Sequence, residues 1–358
     1  YNKVQTDETN MRRIAIYLLC IFMLLPVVTM TAQPGYNYSK LQREKLNRGV
    51  VAIRENPSEV IVSWRYLSSD PIQTGFNVYR DGKKLTDTPI TVSTLFRDKN
   101  NSQKTAVYEV RPVLKGKETH HIDGTYTFPE NAPLGYLEIP LQKPADGVTP
   151  AGDTYTYSPN DASIGDVDGD GEYEIILKWD PSNSHDNAHE GYTGEVYIDC
   201  YRMNGEQLWR INLGKNIRAG AHYTQFMVYD LDGDGKAEVV MKTADGTVDG
   251  TGKVIGDAQA DYRNEQGRIL TGPEYLTVFN GLTGEAMQTI DYVPERGDLM
   301  GWGDSRGNRS DRFLACVAYL DGIHPSVVMC RGYYTRTVLA AYDWNGKELK
   351  ERWIFDSN

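Results

Sequence analysis

Residues 162–178 read ASIGDVDGDGEYEIILK, and residues 226–242 read FMVYDLDGDGKAEVVMK, which is the same pattern 64 residues further along. In each copy a short apolar run leads into a loop rich in aspartate and glycine, and a second apolar run follows the loop. Short apolar runs bounded by turn residues are typical of β-strands. A degenerate third copy at residues 315–330 keeps both runs but loses most of the acidic residues. The pattern predicts a repeated unit whose first two strands are joined by an acidic loop.

Each copy continues with two further predicted strands. After the first copy, residues 196–198 (VYI) precede the turn Asn204-Gly205, and residues 207–210 (QLWR) follow it. Four antiparallel strands per repeat is the plan of a β-propeller blade. Three copies are present, whereas a propeller needs about four to eight blades to close. We therefore expect an all-β chain in which residues 150–358 form the first blades of a truncated propeller, the front part of a longer protein.

The acidic loops carry oxygen donors at the spacing of a calcium-binding loop. Side-chain oxygens stand at positions 1, 3, 5 and 9, a glycine stands at position 6, and position 7 is suited to coordination through its backbone carbonyl. Oxygen ligands alone favour Ca²⁺ over zinc or copper. The predicted calcium ligands are Asp166, Asp168, Asp170, Glu172 and Glu174 in the first loop, and Asp230, Asp232, Asp234, Lys236 and Glu238 in the second, with Glu172 and Lys236 acting through their carbonyls.

We interpret both loops as scaffold sites, in which an ion pins a tight turn between two strands. Four other aspartates, Asp161, Asp245, Asp249 and Asp257, are further candidate ligands, with ordinary turn residues as the alternative.

Composition limits the kinds of partner. The formal net charge of −11 and the pI of about 5.1 argue against nucleic acid or an anionic membrane. An acidic polymer remains compatible if bound cations or a local cluster of basic residues neutralise it. We expect a monomer.

The N-terminal residues predict export. Residues 11–32 combine a basic start (MRR), a short apolar stretch and a small-residue exit near Ala32, which is typical of a signal peptide. The apolar stretch is short of the roughly 20 residues of a membrane span, so we expect a secreted protein with no span in the mature chain. Residues 1–10 are interpreted as an over-extended start. Three cysteines follow the predicted signal peptide, Cys200, Cys316 and Cys330, and this odd number does not imply a disulfide framework. Cys316 and Cys330 either form a disulfide or pack as free thiols.

Residues 40–140 predict a separate β-sandwich module. Residues 59–64 (EVIVSW) alternate with period two, which places Val60, Val62 and Trp64 on one face. The later stretch GFNVYRDG, at residues 75–82, ends in a hairpin turn signal. The pattern resembles a fibronectin type III domain, a kind of module that usually acts as a spacer.

Several segments outside the acidic loops resemble one enzyme family, the rhamnogalacturonan lyases of polysaccharide lyase family 11. The similarity covers nearly everything after the signal peptide. The segments that carry it are residues 46–52 (LNRGVVA), 160–163 (NDAS), 177–183 (LKWDPSN), 215–224 (KNIRAGAHYT), 242–247 (KTADGT) and 330–336 (CRGYYTR).

The resemblance implies an eight-bladed, calcium-rich propeller that cleaves the rhamnose–galacturonate bond of rhamnogalacturonan I by β-elimination. It implies that Asn160 and Asp180 contact the sugar and that Asp161 is a calcium ligand. It also implies that the catalytic lysine and arginine lie beyond Asn358, so we expect the fragment itself to be inactive.

β-Elimination removes the proton next to the uronate carboxylate, so it needs a base and a positive group that stabilises the developing charge. Arg218, Arg331 and Arg336 either line the path of the acidic polymer or are ion-paired. His222 is either a base or a packed, hydrogen-bonded residue. The tyrosines 333 and 334 either stack on sugar rings or belong to the core.

Two other classes compete with the lyase. One is a non-catalytic calcium-binding propeller that binds carbohydrate or protein at the cell surface, and the other is a purely structural surface module. The acidic loops do not separate these classes, because all of them use such loops as scaffold. The sequence KWDP at residues 178–181 favours the lyase.

Overall fold

The computed structural model describes residues 40–119 and 124–358, so residues 1–10 and the predicted signal peptide at 11–32 lie outside the described residues. Within the described residues the chain forms β-strands joined by turns, with no α-helix and a single 3-10 helix, Leu299–Trp302. No helix in this part of the chain is long and apolar enough to cross a membrane. The all-β prediction is confirmed.

The N-terminal module consists of two sheets that share one core. Strands β1-β2-β5 form one sheet of the module. Strands β4-β3-β6-β7 form the other, in which β8 also pairs with β6. Val60, Val62 and Trp64 are all buried in the shared core, which confirms the face predicted from the alternation. The strands are β1 Val51–Asn56, β2 Glu59–Ser63, β3 Gly75–Arg80, β4 Lys83–Lys84, β5 Leu95–Lys99, β6 Ala106–Leu114, β7 Lys117–Glu118 and β8 Thr125–Phe128.

Three antiparallel sheets follow, after a short hairpin formed by β9 Gly147–Val148 and β10 Thr154–Tyr155. Each sheet contains four consecutive long strands, as the repeats predict. The first sheet comprises β11 Tyr157–Gly165, β12 Glu174–Pro181, β13 Tyr197–Tyr201 and β14 Gln207–Asn212. The second comprises β15 Phe226–Tyr229, β16 Glu238–Ala244, β19 Glu274–Asn280 and β20 Ala286–Asp291, and the third β21 Phe313–Ala318, β22 Ser326–Arg331, β23 Val338–Trp344 and β24 Leu349–Asp356.

In the second and third sheets the second strand is the most buried. Every residue of β16 and β22 is buried, because these apolar runs are covered on both faces. One hydrophobic core lies between the first and second sheets, and another lies between the second and third. The first strands β11, β15 and β21 lie beside one another in succession. The sheets therefore follow each other in chain order, each packed on the next.

A further hairpin extends the first sheet beyond four strands. Strands β17 Thr247–Val248 and β18 Val254–Ile255 pair with each other, and Val248 pairs with Asn212 of β14. The hairpin lies between two strands of the second sheet in sequence, so it links neighbouring sheets. The repeat pattern gives no sign of it.

Residues 42–48, which we call the strap, run across one end of all three sheets. This end carries the two acidic loops and, in the third sheet, their degenerate counterpart. The backbone N–H of Asn47 donates to the carbonyl of Gly171 at 2.9 Å. A Cβ atom at Gly171 would come within 2.7 Å of the Asn47 nitrogen, so glycine is required by close approach as well as by its positive φ of 87°. Further bonds from the strap to these ends run from Lys45 Nζ to the Asp234 carbonyl (3.2 Å), from Gln42 Nε2 to the Leu231 carbonyl (3.1 Å) and from the Gln42 N–H to the Ile323 carbonyl (2.8 Å).

The three cysteines of the described residues are unpaired. Cys316 stands opposite Val328 and Cys330 opposite Leu314, so the two sulfurs belong to different cross-strand pairs. Both are free thiols, Cys316 exposed and Cys330 buried, as is the buried Cys200. The disulfide alternative is wrong.

Candidate functional site: acidic loops and an open cavity at opposite ends

The two acidic loops fold in the same way, hydrogen bond for hydrogen bond. In the first loop, Asp166 accepts from the backbone N–H groups of Gly169 (2.7 Å) and Gly171 (2.8 Å). Glu174 closes the loop by accepting from the N–H of Val167 at 3.0 Å. In the second loop Asp230 accepts from Gly233 (2.7 Å) and Gly235 (3.1 Å), and Glu238 accepts from Leu231 (2.9 Å).

The carboxylates of each loop converge on one point. Oxygens of Asp166, Asp168 and Glu174 lie within 4.8 Å of one another, and so do oxygens of Asp230, Asp232 and Asp234. Burial, reinforced by the neighbouring carboxylates, raises the pKa of Glu174 to about 7 and that of Glu238 to about 8. Such crowding of buried acids is relieved by a cation. The donor set is all oxygen, which suits a hard ion such as Ca²⁺.

The two loops differ in their basic neighbours. Arg202, which follows strand β13, places a guanidinium nitrogen 2.7 Å from Asp168 and 3.6 Å from Glu174. Among the described residues, no ion pair joins an acid of the second loop to a basic side chain, although Lys45 lies against its backbone. The first loop is therefore partly neutralised by the protein itself.

The remaining predicted ligands occupy varied positions. The carboxylates of Asp170 and Asp234 accept from the N–H groups of Glu172 (2.8 Å) and Lys236 (2.7 Å), whose side chains are exposed. Exposure of those two side chains agrees with a role through the carbonyl alone.

The four candidate ligands outside the loops are hydrogen-bonded to other groups. In the part of the chain that the structure describes, none of them belongs to a cluster of side chains that could hold a metal ion. Asp161 accepts from Lys178 Nζ at 2.6 Å. Asp245 accepts from the hydroxyls of Tyr262 and Tyr275, at 2.7 and 2.9 Å. Asp249 and Asp257 accept from backbone N–H groups two residues later, as turn aspartates do.

An open cavity of about 570 Å³ lies at the other end of the first sheet. In the β11–β12 pair, Glu174 stands opposite Gly165 beside the acidic loop, and Asp180 stands opposite Ser158. Six residues of extended strand separate the two levels, which corresponds to about 20 Å. The cavity is lined by Asn160, Asp161, Lys178, Asp180, Ser184, His185, Asp186, Ala188, His189 and Ala221. The two predicted sugar-contacting residues, Asn160 and Asp180, are thus brought together, away from the acidic loops.

Charges of both signs face this cavity. Lys178 is only 2% exposed, and its ammonium group bonds to the exposed Asp161. Burial raises the pKa of Asp180, and the charge of Lys178 partly opposes that rise. His185 donates from Nδ1 to the carbonyl of Asn183 at 2.6 Å, which fixes its ring. A polar cavity of this kind can hydrogen-bond the hydroxyl groups of a sugar.

Two of the arginines in the signature segments are buried inside the protein. Arg331 pairs with Glu274 at 2.7 Å and with Asp311 at 3.4 Å. Arg218 donates to backbone carbonyls, among them those of His189 and Gly191. Arg336 is more exposed but pairs with Asp356. The ion-paired alternative is confirmed for Arg331 and Arg336, whereas Arg218 is buried and held by backbone carbonyls.

Glu274 is the centre of a buried ionic cluster between the second and third sheets. It accepts from Lys242, Arg296 and Arg331 at 2.7, 2.8 and 2.7 Å. Burial works against its charged form, yet these three cations together hold its pKa below the usual range. Sequence reasoning missed this cluster, because its members come from four separate segments.

His222 is packed and hydrogen-bonded, which confirms that alternative. Its Nδ1 lies 3.0 Å from the Tyr333 hydroxyl, and burial lowers its pKa. Tyr333 is half-buried, whereas Tyr334 is 62% exposed.

The sequence analysis also missed His185, Asp186 and His189, which the β12–β13 connection brings to the cavity. The available signal was the polar, turn-rich stretch SNSHDNAHE at residues 182–190, directly after the signature that contains Asp180. Long connections of this kind often carry function.

Comparisons with known proteins agree over both halves of the chain. The sequence profile described as "Rhamnogalacturonan lyase family 11, C-terminal domain" matches residues 136–358, and the "Rhamnogalacturonan I lyases beta-sheet domain" matches residues 41–128. The chain is 63% identical to the rhamnogalacturonan exolyase YesX of Bacillus subtilis (strain 168) over 319 residues, which is 89% of this chain and 51% of that protein. It is 59% identical to the rhamnogalacturonan endolyase YesW of the same organism over 317 residues, which is 88% of this chain and 50% of that protein.

Solved structures agree as well. The structure of the exotype rhamnogalacturonan lyase YesX matches with a TM-score of 0.83 at 63% identity, covering 89% of this chain and 52% of that one. The Bacillus licheniformis rhamnogalacturonan lyase PL11 matches with a TM-score of 0.83 at 61% identity, covering 89% and 54%. The chain spans about half the length of the curated relatives it matches. From both its sequence and its fold, the chain belongs to rhamnogalacturonan lyase family 11.

Proposed function

We propose that this protein cleaves the rhamnose–galacturonate bond of rhamnogalacturonan I, the branched pectin backbone, by β-elimination. The observation that carries the proposal is the open cavity in which Asn160 and Asp180 meet. Both residues belong to segments that resemble the lyase family, and the cavity is polar and large enough for a sugar residue. This chain contributes the wall that holds the sugar.

The chemistry explains why such a wall is needed. A base removes the proton next to the uronate carboxylate, the bond to the leaving oxygen breaks, and a double bond forms in the uronate ring. Fixed hydrogen-bond partners raise the rate when they hold the polymer so that this proton faces the base. Asn160 and Asp180 are placed to bind hydroxyl groups, and the buried Lys178 keeps Asp161 in position beside them.

We further propose that both acidic loops hold Ca²⁺ as part of the scaffold. The convergence of the loop carboxylates supports this, as does the separation of about 20 Å from the cavity. An ion there would stabilise the turn between two strands and would take no part in bond cleavage.

The finer architecture is also proposed. The three four-stranded sheets of residues 150–358 support a β-propeller whose blades they form. The two-sheet N-terminal module, residues 40–140, supports a fibronectin type III-like sandwich. The signal-like residues 11–32 support secretion.

The test is the appearance of the unsaturated uronate, followed by its absorbance, when the full-length protein is incubated with rhamnogalacturonan I. We expect product from the unsubstituted protein and little from Asp180→Asn. Asp87→Asn, a substitution at an exposed acid of the N-terminal module, serves as the matched control. A folded protein that binds the polymer without forming product would instead support the non-catalytic propeller.

A further inference from the structure

An exposed tyrosine lies beside the cavity. Tyr334 stands in the connection between β22 and β23 and is 62% exposed, so most of its ring faces solvent. Its ring lies 5.2 Å from that of Tyr333, which in turn is fixed by the hydrogen bond to His222. The exposed ring is therefore held on a supported side chain.

Two guanidinium groups lie near the Tyr334 ring, and their charges are not equivalent. Arg312, 5.6 Å from the ring centre, is 5% exposed and pairs with Asp186 at 3.0 Å. Arg309, 5.9 Å from the ring centre, donates to the Thr335 hydroxyl at 2.6 Å. No carboxylate of the described residues forms an ion pair with Arg309. The Arg309 guanidinium therefore has no ion-pair partner among those residues, although the Asp304 carboxylate accepts from the Arg309 backbone N–H at 2.6 Å, and it keeps spare hydrogen-bond donors.

This group is continuous with the cavity. Asp186, the partner of Arg312, lines the cavity directly. Ala221 also lines it, and the next residue, His222, bonds to Tyr333. A polymer whose one sugar occupies the cavity would pass over Tyr334 with a neighbouring sugar.

We propose that Tyr334 and Arg309 form an additional subsite that binds a galacturonate residue of the substrate, next to the rhamnose residue held by Asn160 and Asp180. The inference rests on the proposed function, because it takes its ligand from it. The tyrosine ring stacks on the apolar C–H face of the sugar, and the guanidinium pairs with the sugar carboxylate. Rhamnose has a methyl group where galacturonate has a carboxylate, so Arg309 selects the acidic sugar.

The experiment measures, by calorimetry, the affinity of this chain for two ligands, free rhamnose and an octasaccharide of rhamnogalacturonan I. The octasaccharide is also used after reduction of its carboxylates. The variants are Tyr334→Ala, Tyr334→Phe, Arg309→Gln and Arg309→Lys. Tyr136→Ala, at a tyrosine that is 57% exposed in the segment before the first sheet, is the matched control. Thermal unfolding of each variant checks that it is folded.

We expect Tyr334→Ala to weaken octasaccharide binding by about threefold to tenfold, since an aromatic contact is worth roughly 0.5–1.5 kcal/mol. Tyr334→Phe should stay within about twofold of the unsubstituted chain, because it keeps the ring. Arg309→Gln should weaken octasaccharide binding by about tenfold, with Arg309→Lys in between, and should change nothing for the reduced octasaccharide. Free rhamnose, which fills only the cavity, should bind all variants equally.

Equal octasaccharide affinity in all folded variants would overturn the subsite while leaving the proposed function in place. An effect of Arg309→Gln that persists on the reduced octasaccharide would overturn the selection of galacturonate. An unsubstituted chain that binds neither rhamnose nor the octasaccharide would overturn the subsite and count against the proposed function together.

Discussion

The two ends of the first sheet carry acidic residues in contrasting ways. At the loop end, Asp166 and Glu174 are buried, and each accepts hydrogen bonds from backbone groups of its own loop. At the cavity end, Asp161 is exposed and Asp180 half-buried, and both face open space. An acid whose bonds close within a loop shapes that loop, whereas an acid that faces a cavity has capacity left for a ligand.

The second sheet adds a third case at the level of the cavity. Glu274, at the start of β19, stands opposite Ala244, the residue that follows Asp180 by one repeat of 64 positions. It is enclosed by three cations and has no open space to face. The position within a repeat therefore does not decide the role of a charge; burial and partners do.

The largest expected effect is on Glu274. Glu274→Gln should lower the free energy of unfolding by about 3–5 kcal/mol, because three buried cations lose their shared partner. Denaturant unfolding measures it, with the exposed Asp291→Asn as the control. A loss below about 1 kcal/mol would mean that the cluster is solvated.

The same cluster has a predictable pH dependence. The pKa of Glu274 is lower in the folded protein than in the unfolded chain, so its stabilisation is fully present above the ordinary glutamate pKa of about 4.3. It should be lost as the pH falls below that value. Denaturant unfolding between neutral and acidic pH, compared between the unsubstituted chain and Glu274→Gln, isolates this contribution, and the two curves should converge in acid.

The next largest effect on the free energy of unfolding is expected from calcium binding at the acidic loops. At a concentration about 100 times the dissociation constant, each occupied loop should add about 2.7 kcal/mol to the free energy of unfolding. Asp230→Asn should remove the share of the second loop, and Asp180→Asn should remove none. Thermal unfolding with calcium and with a chelator measures both, and an equal response in the two variants would contradict a separate scaffold site.

Asp180→Asn should show the opposite profile. We expect oligosaccharide affinity to fall by about tenfold to a hundredfold, the value of a hydrogen bond to a charged group. The free energy of unfolding should stay within about 0.5 kcal/mol, because the side chain faces open space. A loss of stability equal to the loss of binding would make Asp180 a structural residue like Glu274.

The smallest effect distinguishes the two loops from each other. Arg202→Gln should tighten calcium binding at the first loop by up to about fivefold, because a competing, partly exposed charge is removed. The second loop, which lacks such a partner among the described residues, is the internal control. Calorimetric titration with Ca²⁺ resolves the two sites, and unchanged binding would show that Arg202 swings away when the ion enters.

The features that depend on residues close together in the sequence were predicted correctly. The repeats gave four strands to each sheet, and the glycine and aspartate spacing predicted two loops that indeed fold alike. The resemblance implied that Asn160 and Asp180 both contact the sugar, and both residues line the cavity.

Contacts between distant segments escaped prediction. Arg202 reaches the first loop from 34 residues away, and Arg331 reaches Glu274 across 57. The β17–β18 hairpin joins the first sheet from within the second repeat. Nothing in the periodicity of a segment specifies which distant partner it meets, because packing decides that.

The strap has a consequence for the order in which the protein is assembled. Gln42 and Lys45 each bond to carbonyls 189 residues later, in the second acidic loop. At synthesis rates of roughly 5–20 residues per second, about 10 to 40 seconds pass before those partners exist. The strap is therefore synthesised well before its partners and is among the last parts of the chain to dock. Such long sequence separations slow folding, so we expect the acidic loops to take their shape before the strap closes over them.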